Sequence, residues 1–119
     1  MYVYSFERLD VWKDSKQLVI LTFKSTNQFP DMEKFGLVSQ IRRAAVSIPS
    51  NIAEGSARRT HKEKAHYITI AFGSAVELLN QLIISFELKY LSLEEYKILR
   101  AQIEKVTNKL NALRNSFTK

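Results

Sequence analysis

Apolar side chains recur at intervals of three and four residues along the last quarter of the chain, from Tyr96 to Phe117. This spacing places them on one face of an α-helix. Three earlier segments repeat the pattern, so the sequence predicts helices over about residues 6–28, 31–58, 61–90 and 93–117. Short connections force neighbouring helices to run in opposite directions. We therefore expect an all-α fold, an antiparallel up-down four-helix bundle in a single domain, residues 1–119.

Two capping boxes mark where the last two helices begin, at Thr60 with Glu63 and at Ser92 with Glu95. In such a box the hydroxyl and the carboxylate each satisfy a backbone amide of the first turn. Gly73 lies inside the third helix, where glycine lowers helix stability by about 1 kcal/mol relative to alanine. The close approach of another backbone, near Pro49 of the second helix, would explain this glycine.

The second helix contains Pro49, which removes the amide hydrogen that would bond the carbonyl of Ala45. A continuous helix is expected to bend there, so we predict a proline-kinked second helix. An alternative also fits the sequence. Asn51 and Glu54 have capping-box spacing and would start a separate helix after Pro49.

Composition restricts the class of protein. The chain has 119 residues, 45% of them hydrophobic and 25% charged, as in an ordinary soluble domain. Glu7 and Asp10 precede any apolar run, and charged residues interrupt the apolar stretch of residues 68–91. The sequence therefore predicts neither a secretory signal nor a membrane span, and a cytoplasmic location is expected. Because cysteine is absent, disulfides and thiolate metal sites are excluded.

Motifs for metal binding and catalysis are incomplete. Glu63 and His66 have the Glu-x-x-His spacing of di-iron bundles, but such sites need two of these pairs. His61 is the only other histidine. Phosphate-binding glycine loops and nucleophile elbows are also missing. We therefore expect no metal, cofactor or catalytic residue, and a non-enzymatic protein. An enzyme with Asn51, Glu54 and Glu77 in a cleft is the less favoured interpretation.

Positive charge is the strongest functional signal. Eighteen Lys and Arg against twelve Asp and Glu give a net charge of +6, which attracts polyanions if the cations cluster. The candidate nucleic-acid-binding residues are Arg42, Arg43, Arg58, Arg59, Lys62 and Lys64. Aromatic residues are not interleaved with them, so contact with the phosphate backbone is expected rather than base stacking or base reading.

A line of polar residues, Arg43, Ser47, Ser50 and Glu54, runs along the outer side of the second helix. Asn51, Glu54, Ser74 and Glu77 would converge between the second and third helices as a polar cluster, and we call the line and the cluster together the polar stripe. These residues would form either a polar network within the subunit or a contact between subunits. The stripe could also face RNA, and the sequence leaves these alternatives open.

The run FPDMEKFGLVSQIRRAAVSIPSNIAEGSAR, together with LDVWK before it and AFGSAVEL after it, resembles a known family. This family comprises the four-helix bundle proteins encoded by intervening sequences within bacterial 23S ribosomal RNA genes. The chain is also similar to the accessory variability proteins of diversity-generating retroelements. The resemblance covers nearly the whole chain and implies a homopentamer with a basic surface. In the retroelement proteins it further implies association with reverse transcriptase and nucleic acid.

Several residues match the family pattern by position: Gln40, Arg42, Arg43, Ser47, Pro49, Asn51, Glu54, Gly55, Gly73, Ser74 and Glu77. The first helix departs from it, since Ser15 and Thr22 stand where alanine and an aromatic residue are expected. Together, residues and resemblance predict a basic homo-oligomer that binds RNA or other nucleic acid through backbone contacts. The alternative is an oligomeric scaffold, or protein-interaction module, whose polar stripe serves self-assembly and a protein partner.

Overall fold

The computed structural model describes residues 1–118, in which all regular secondary structure is helical. Four α-helices follow one another: α1 (Asp10–Thr26), α2 (Leu37–Ser56), α3 (His61–Glu87) and α4 (Leu93–Phe117). Short 3-10 turns at Ser5–Arg8 and Asp31–Glu33 precede α1 and α2. The predicted all-α four-helix bundle is confirmed. The first three helices are shorter than predicted. Helices α1 and α2 begin later because Leu9 is extended and Gly36 leaves the helical region. Helix α3 ends at Glu87, before Lys89, whose φ of 66° is not helical.

The helices form a ring in chain order. Each packs on its neighbours in sequence, and α1 closes the ring by packing on α4. Within residues 1–118, no Cα atom of α1 lies within 8 Å of one in α3, and none of α2 within 8 Å of one in α4. This arrangement gives the up-down topology that short connections require. The core lies along the ring axis and consists mainly of Leu, Ile, Val and Ala, with Leu18, Ile48, Leu78 and Ile103 almost fully buried.

Polar side chains on the buried side of α1 form their hydrogen bonds within the same helix. The hydroxyls of Ser15, Thr22 and Thr26 donate to carbonyls one turn earlier, at 2.6, 2.7 and 2.8 Å respectively. A buried hydroxyl with a partner avoids the desolvation penalty of an unpaired one. The two departures from the family pattern, Ser15 and Thr22, are therefore accommodated in the core.

Helix α2 runs without interruption through Pro49. The alternative in which Asn51 begins a separate helix is therefore wrong. Instead of capping a helix, the amide of Asn51 donates backwards to the carbonyl oxygen of Ser47 at 2.8 Å and to its hydroxyl at 3.0 Å. The bend at Pro49 stays a prediction.

The close approach between α2 and α3 lies at Gly55 and not at Gly73. A Cβ added to Gly55 would stand 2.9 Å from the Cβ of Tyr67, whereas one added to Gly73 would meet nothing within 4 Å. The expectation that a neighbouring backbone explains Gly73 is wrong for the single subunit. Gly73 points outward, and glycine is needed instead near the end of α2.

The predicted starts of α3 and α4 are those observed. Ser92 and Glu95 form the complete capping box, with reciprocal bonds of 3.1 and 3.2 Å. At α3 the Thr60 hydroxyl accepts from the Glu63 amide at 3.1 Å. The Glu63 carboxylate, however, accepts from the Thr60 hydroxyl and not from the Thr60 amide, so this capping box is incomplete. Helix α3 is long and apolar enough to cross a membrane, and 44% of its most apolar window is buried inside the bundle.

Candidate nucleic-acid interface

Four cations crowd the turn between α2 and α3, and two of them have structural partners. Arg58 lies over the ring of Tyr67, 4.7 Å from its centroid, and donates to its hydroxyl at 2.8 Å. It also faces Glu54 at 3.8 Å. Lys64 donates to the carbonyl of Ser56 at 3.0 Å and so satisfies the C-terminal end of α2.

Arg59 and Lys62 are the two cations of this turn without a structural partner of this kind within residues 1–118. Both are exposed, and no carboxylate within residues 1–118 lies close enough to form an ion pair with either. Their charges therefore face solvent without local neutralisation. A phosphate oxygen can approach them without first displacing a protein partner.

Arg42 and Arg43 are adjacent in sequence and have different surroundings. The Arg42 guanidinium donates to Thr26, Phe23 and Asn27, at 3.0 Å to the threonine hydroxyl, 3.3 Å to the Phe23 carbonyl and 2.9 Å to the asparagine side chain. It also lies 4.5 Å from the centroid of the Phe23 ring. Arg42 thus closes the C-terminal end of α1, while Arg43 is exposed beside α3.

The charge is segregated along the bundle. Cutting each helix near its middle gives one end built from residues 1–17, 47–73 and 105–118, which we call the basic end, and an opposite end built from residues 18–46 and 74–104. The basic end carries Arg8, Lys13, Lys16, Arg58, Arg59, Lys62, Lys64, Lys105, Lys109 and Arg114 against Glu7, Asp10, Asp14, Glu54 and Glu63. The opposite end carries seven residues of each sign. The positive excess of the described chain therefore lies at the basic end.

Asp14 holds two of the lysines of the basic end. Its carboxylate accepts from Lys109 at 2.5 Å and lies 3.5 Å from Lys105, which ties α1 to α4. Burial raises the pKa of Asp14, but the hydrogen bond and charge of Lys109 outweigh it, together with Lys105, and the pKa is lowered overall. The same hydrogen bond raises the pKa of Lys109. These two lysines are partly neutralised, unlike Arg59 and Lys62.

The polar stripe divides into a network and a groove. Ser47, Asn51 and Ser74 converge, with 2.9 Å between the two serine hydroxyls. Beside them, Gln40, Arg43 and Glu77 line an open groove of about 310 Å³ between α2 and α3. The remaining stripe residues, Ser50 and Glu54, face solvent on α2.

The three residues of the enzyme interpretation do not form a cleft. Asn51 is engaged with Ser47, Glu54 is exposed beside Arg58, and Glu77 is exposed and accepts from Gln81 at 3.3 Å. Gln81 is buried, and its Oε1 has no hydrogen-bond partner in the described part of the chain. In residues 1–118, no three His, Asp or Glu side chains are grouped to hold a metal ion, and Glu63 and His66 belong to no such group.

An aromatic row lies at the basic end, outside the six candidate cations among which the sequence showed no interleaved aromatic residues. Ring centroids are separated by 5.0 Å between Tyr2 and Tyr4, 6.3 Å between Tyr4 and Phe6, and 5.1 Å between Phe6 and Trp12. The ammonium of Lys16 lies 5.0 Å from the centroid of the Trp12 ring. The alternation of Tyr2, Tyr4 and Phe6 is the sequence signal that could have found this row.

Comparisons with known proteins agree with this architecture. The family model described as 23S rRNA-intervening sequence protein matches residues 7–112. The fold is similar to the crystal structure, at 1.70 Å resolution, of a protein with unknown function from the S23 ribosomal protein family of Bacteroides thetaiotaomicron VPI-5482. The TM-score is 0.80 and the identity 19%, over 88% of this chain and 95% of that one, which shows a shared fold. No curated protein matches the chain.

Proposed function

This chain belongs to the family of 23S rRNA-intervening sequence proteins, and we propose that it binds nucleic acid. In this proposal the protein is a non-enzymatic homo-oligomer of the cytoplasm that binds RNA, or another nucleic acid, through its phosphate backbone. The observation that carries the proposal is the segregation of charge. Ten Lys and Arg stand against five Asp and Glu at the basic end, and the opposite end is balanced.

A concentrated positive field supports binding to a polyanion better than the same charge spread evenly. Phosphate contacts release counterions, which gives affinity without any reading of base sequence. Arg59 and Lys62 supply exposed charges without ion-pair partners within residues 1–118. Arg58 and Lys64 complete the patch, although each is also bonded within the subunit. Arg42 has a structural role at the end of α1, so we expect it to contribute little to phosphate binding.

Assembly into an oligomer would multiply this field. The outer faces of α2 and α3 expose aliphatic side chains at Val46, Ile70, Val76 and Ile84, which a second subunit would bury. In the neighbouring groove, Arg43 and Glu77 present opposite charges and form no ion pair within residues 1–118. The resemblance to the family favours five copies in a ring.

The polar groove also favours a second candidate function. A scaffold would use Arg43, Ser47, Ser74 and Glu77 for self-assembly and for a protein partner, with the positive charge incidental. The two candidates differ in their response to salt, because only phosphate binding releases several counterions.

Salt dependence of binding tests the proposal. We expect the wild-type protein to bind a double-stranded RNA of about 16 base pairs with an association constant that falls steeply on a log-log salt plot. The variant Arg59→Gln/Lys62→Gln should reduce the steepness of this plot by about two. The matched control is Lys24→Gln/Lys97→Gln, which removes the same charge from exposed positions at the opposite end.

Two results would contradict phosphate binding at the basic end. The first is a salt slope near zero for the wild-type protein. The second is an equal loss of affinity in both double variants, since net charge alone would then explain it. If light scattering showed a homo-oligomer whose wild-type slope is near zero, the scaffold would be the better account.

A further inference from the structure

The N-terminal segment presents aromatic rings to solvent at the basic end of the bundle. Tyr2 and Tyr4 are 77% and 61% exposed. Their rings meet edge to face at an interplanar angle of 85°, and the ring of Tyr4 is nearly parallel to that of Phe6. Most of the surface of these two large residues is therefore open to solvent. This exposure is unusual, because the burial of an aromatic ring in a core is favourable.

The segment is held in place at Tyr4 and Phe6 despite its exposure. The amide of Tyr4 donates to the Glu7 carboxylate at 2.8 Å, and the Glu7 amide donates back to the Tyr4 carbonyl at 3.1 Å. The ring of Phe6 packs edge to face on Trp12 of α1. The backbone at Tyr4 is thus fixed before any ligand arrives, which lowers the conformational entropy lost on binding.

Cations accompany the rings. Lys16 lies over Trp12, and Arg8 and Lys13 are exposed on the turn and helix that follow the segment. Exposed aromatic rings beside positive charge are the two components of a surface for single-stranded nucleic acid: bases stack on the rings, and phosphates meet the cations. In a duplex the bases are already stacked on one another and cannot use such rings.

We infer that Tyr2 and Tyr4 form a stacking platform for the unpaired bases of single-stranded nucleic acid. The inference rests on the proposed function, and it names the form of nucleic acid that the basic end prefers. Stacking tolerates any base because every base has a π-face. The platform therefore adds a preference for single strands and no sequence specificity.

Removal of the rings tests the platform. The probes are an end-labelled single-stranded RNA of about 12 nucleotides and a duplex of the same length, and binding is followed by fluorescence anisotropy. We expect Tyr2→Ala/Tyr4→Ala to weaken single-strand binding by about tenfold or more and duplex binding by less than about twofold. The salt slope should not change, because no cation is removed.

Two control variants separate stacking from other effects. Tyr2→Phe/Tyr4→Phe keeps both rings and should bind single strands like the wild-type protein. Val3→Ala changes an exposed apolar residue of the same segment without removing a ring, and it should also bind normally. Circular dichroism should show equal helix content in all variants, since neither tyrosine belongs to the buried core.

Each remaining outcome counts against the platform. Unchanged single-strand binding by Tyr2→Ala/Tyr4→Ala overturns it while leaving the proposed phosphate binding intact. A change of oligomeric mass in light scattering, without a selective loss for single strands, would show that the segment packs on a neighbouring subunit. If the wild-type protein binds neither RNA at low salt, the proposed function fails, and the platform fails with it.

Discussion

Gly55 and Tyr67 meet at a tight contact between α2 and α3, and a Cβ on the glycine would stand 2.9 Å from the Cβ of the tyrosine. Such a contact is too short for two carbon atoms, so the helices would have to separate. Tyr67 also carries Arg58 on its ring. Because Gly55 has no side chain, Tyr67 can pack close to α2, and its ring supports the guanidinium of Arg58.

Alanine at the two helical glycines should have opposite effects. Gly55→Ala should destabilise the bundle by about 1–2 kcal/mol, because the added methyl overpacks the contact with Tyr67. Gly73→Ala should stabilise it by about 1 kcal/mol, since alanine favours the helix and the added methyl meets open space. Chemical denaturation measures both. A destabilised Gly73→Ala variant would contradict the free-subunit geometry and indicate that another copy covers Gly73.

Replacement of Arg42 should affect stability more than RNA binding. Arg42→Ala removes the bonds to Thr26, Phe23 and Asn27 at the end of α1, and we expect a loss of about 2 kcal/mol in the free energy of unfolding. Arg42→Lys should recover little, because an ammonium lacks the planar fork of the guanidinium. Urea denaturation gives the stability, and anisotropy at a temperature where both proteins are folded gives the binding.

Arg43→Ala is the matched control for Arg42, since Arg43 is exposed and has no ion-pair partner within residues 1–118. Its stability should stay within about 0.5 kcal/mol of the wild-type value. If Arg42→Ala were equally harmless, the bonds that close α1 would contribute nothing measurable.

The contact between Asp14 and Lys109 should make stability fall at both extremes of pH. The folded-state pKa of Asp14 lies below its ordinary value of 3.8, so the stabilisation is present above that value and is lost as pH falls through the folded-state pKa. The pKa of Lys109 is raised above 10.5, so its part is present below that value and is lost as pH rises through the folded-state pKa.

Asp14→Asn should therefore lower the free energy of unfolding by about 1 kcal/mol at pH 7 and by less below pH 3.8. The control is Glu104→Gln, an exposed carboxylate without an ion pair within residues 1–118. Thermal denaturation between neutral and acidic pH measures the difference. A gap between wild type and Asp14→Asn that persists unchanged in acid would mean that packing, and not charge, accounts for it.

The candidate site was predicted from the sequence only in part. The basic turn after α2 was identified because Arg58, Arg59 and Lys62 lie within five residues, and closeness along the chain is visible in a sequence. The sequence placed Arg43 in the outer polar stripe and Arg42 on the flank of the same helix. It did not show that Arg42 closes the end of α1, because the partners of Arg42 lie on another helix and its C-terminal end. The packing of Phe6 on Trp12 was not predicted, since Trp12 belongs to the following helix.

The sequence by itself determined the helices and much of the core. Apolar spacing of three and four residues depends on the helical repeat alone, and the capping residues Ser92 and Glu95 act within a single turn. Both signals are local, so they survive without knowledge of the fold.

Tertiary structure decided which residues approach across helices and where charge accumulates. Gly55 and Gly73 look alike in the sequence, and only the packing of α2 on α3 assigns the close contact to Gly55. Likewise, the basic end exists because antiparallel packing brings the end of α2, the starts of α1 and α3, and the end of α4 together. These properties depend on distances between residues remote in sequence, which periodicity does not encode.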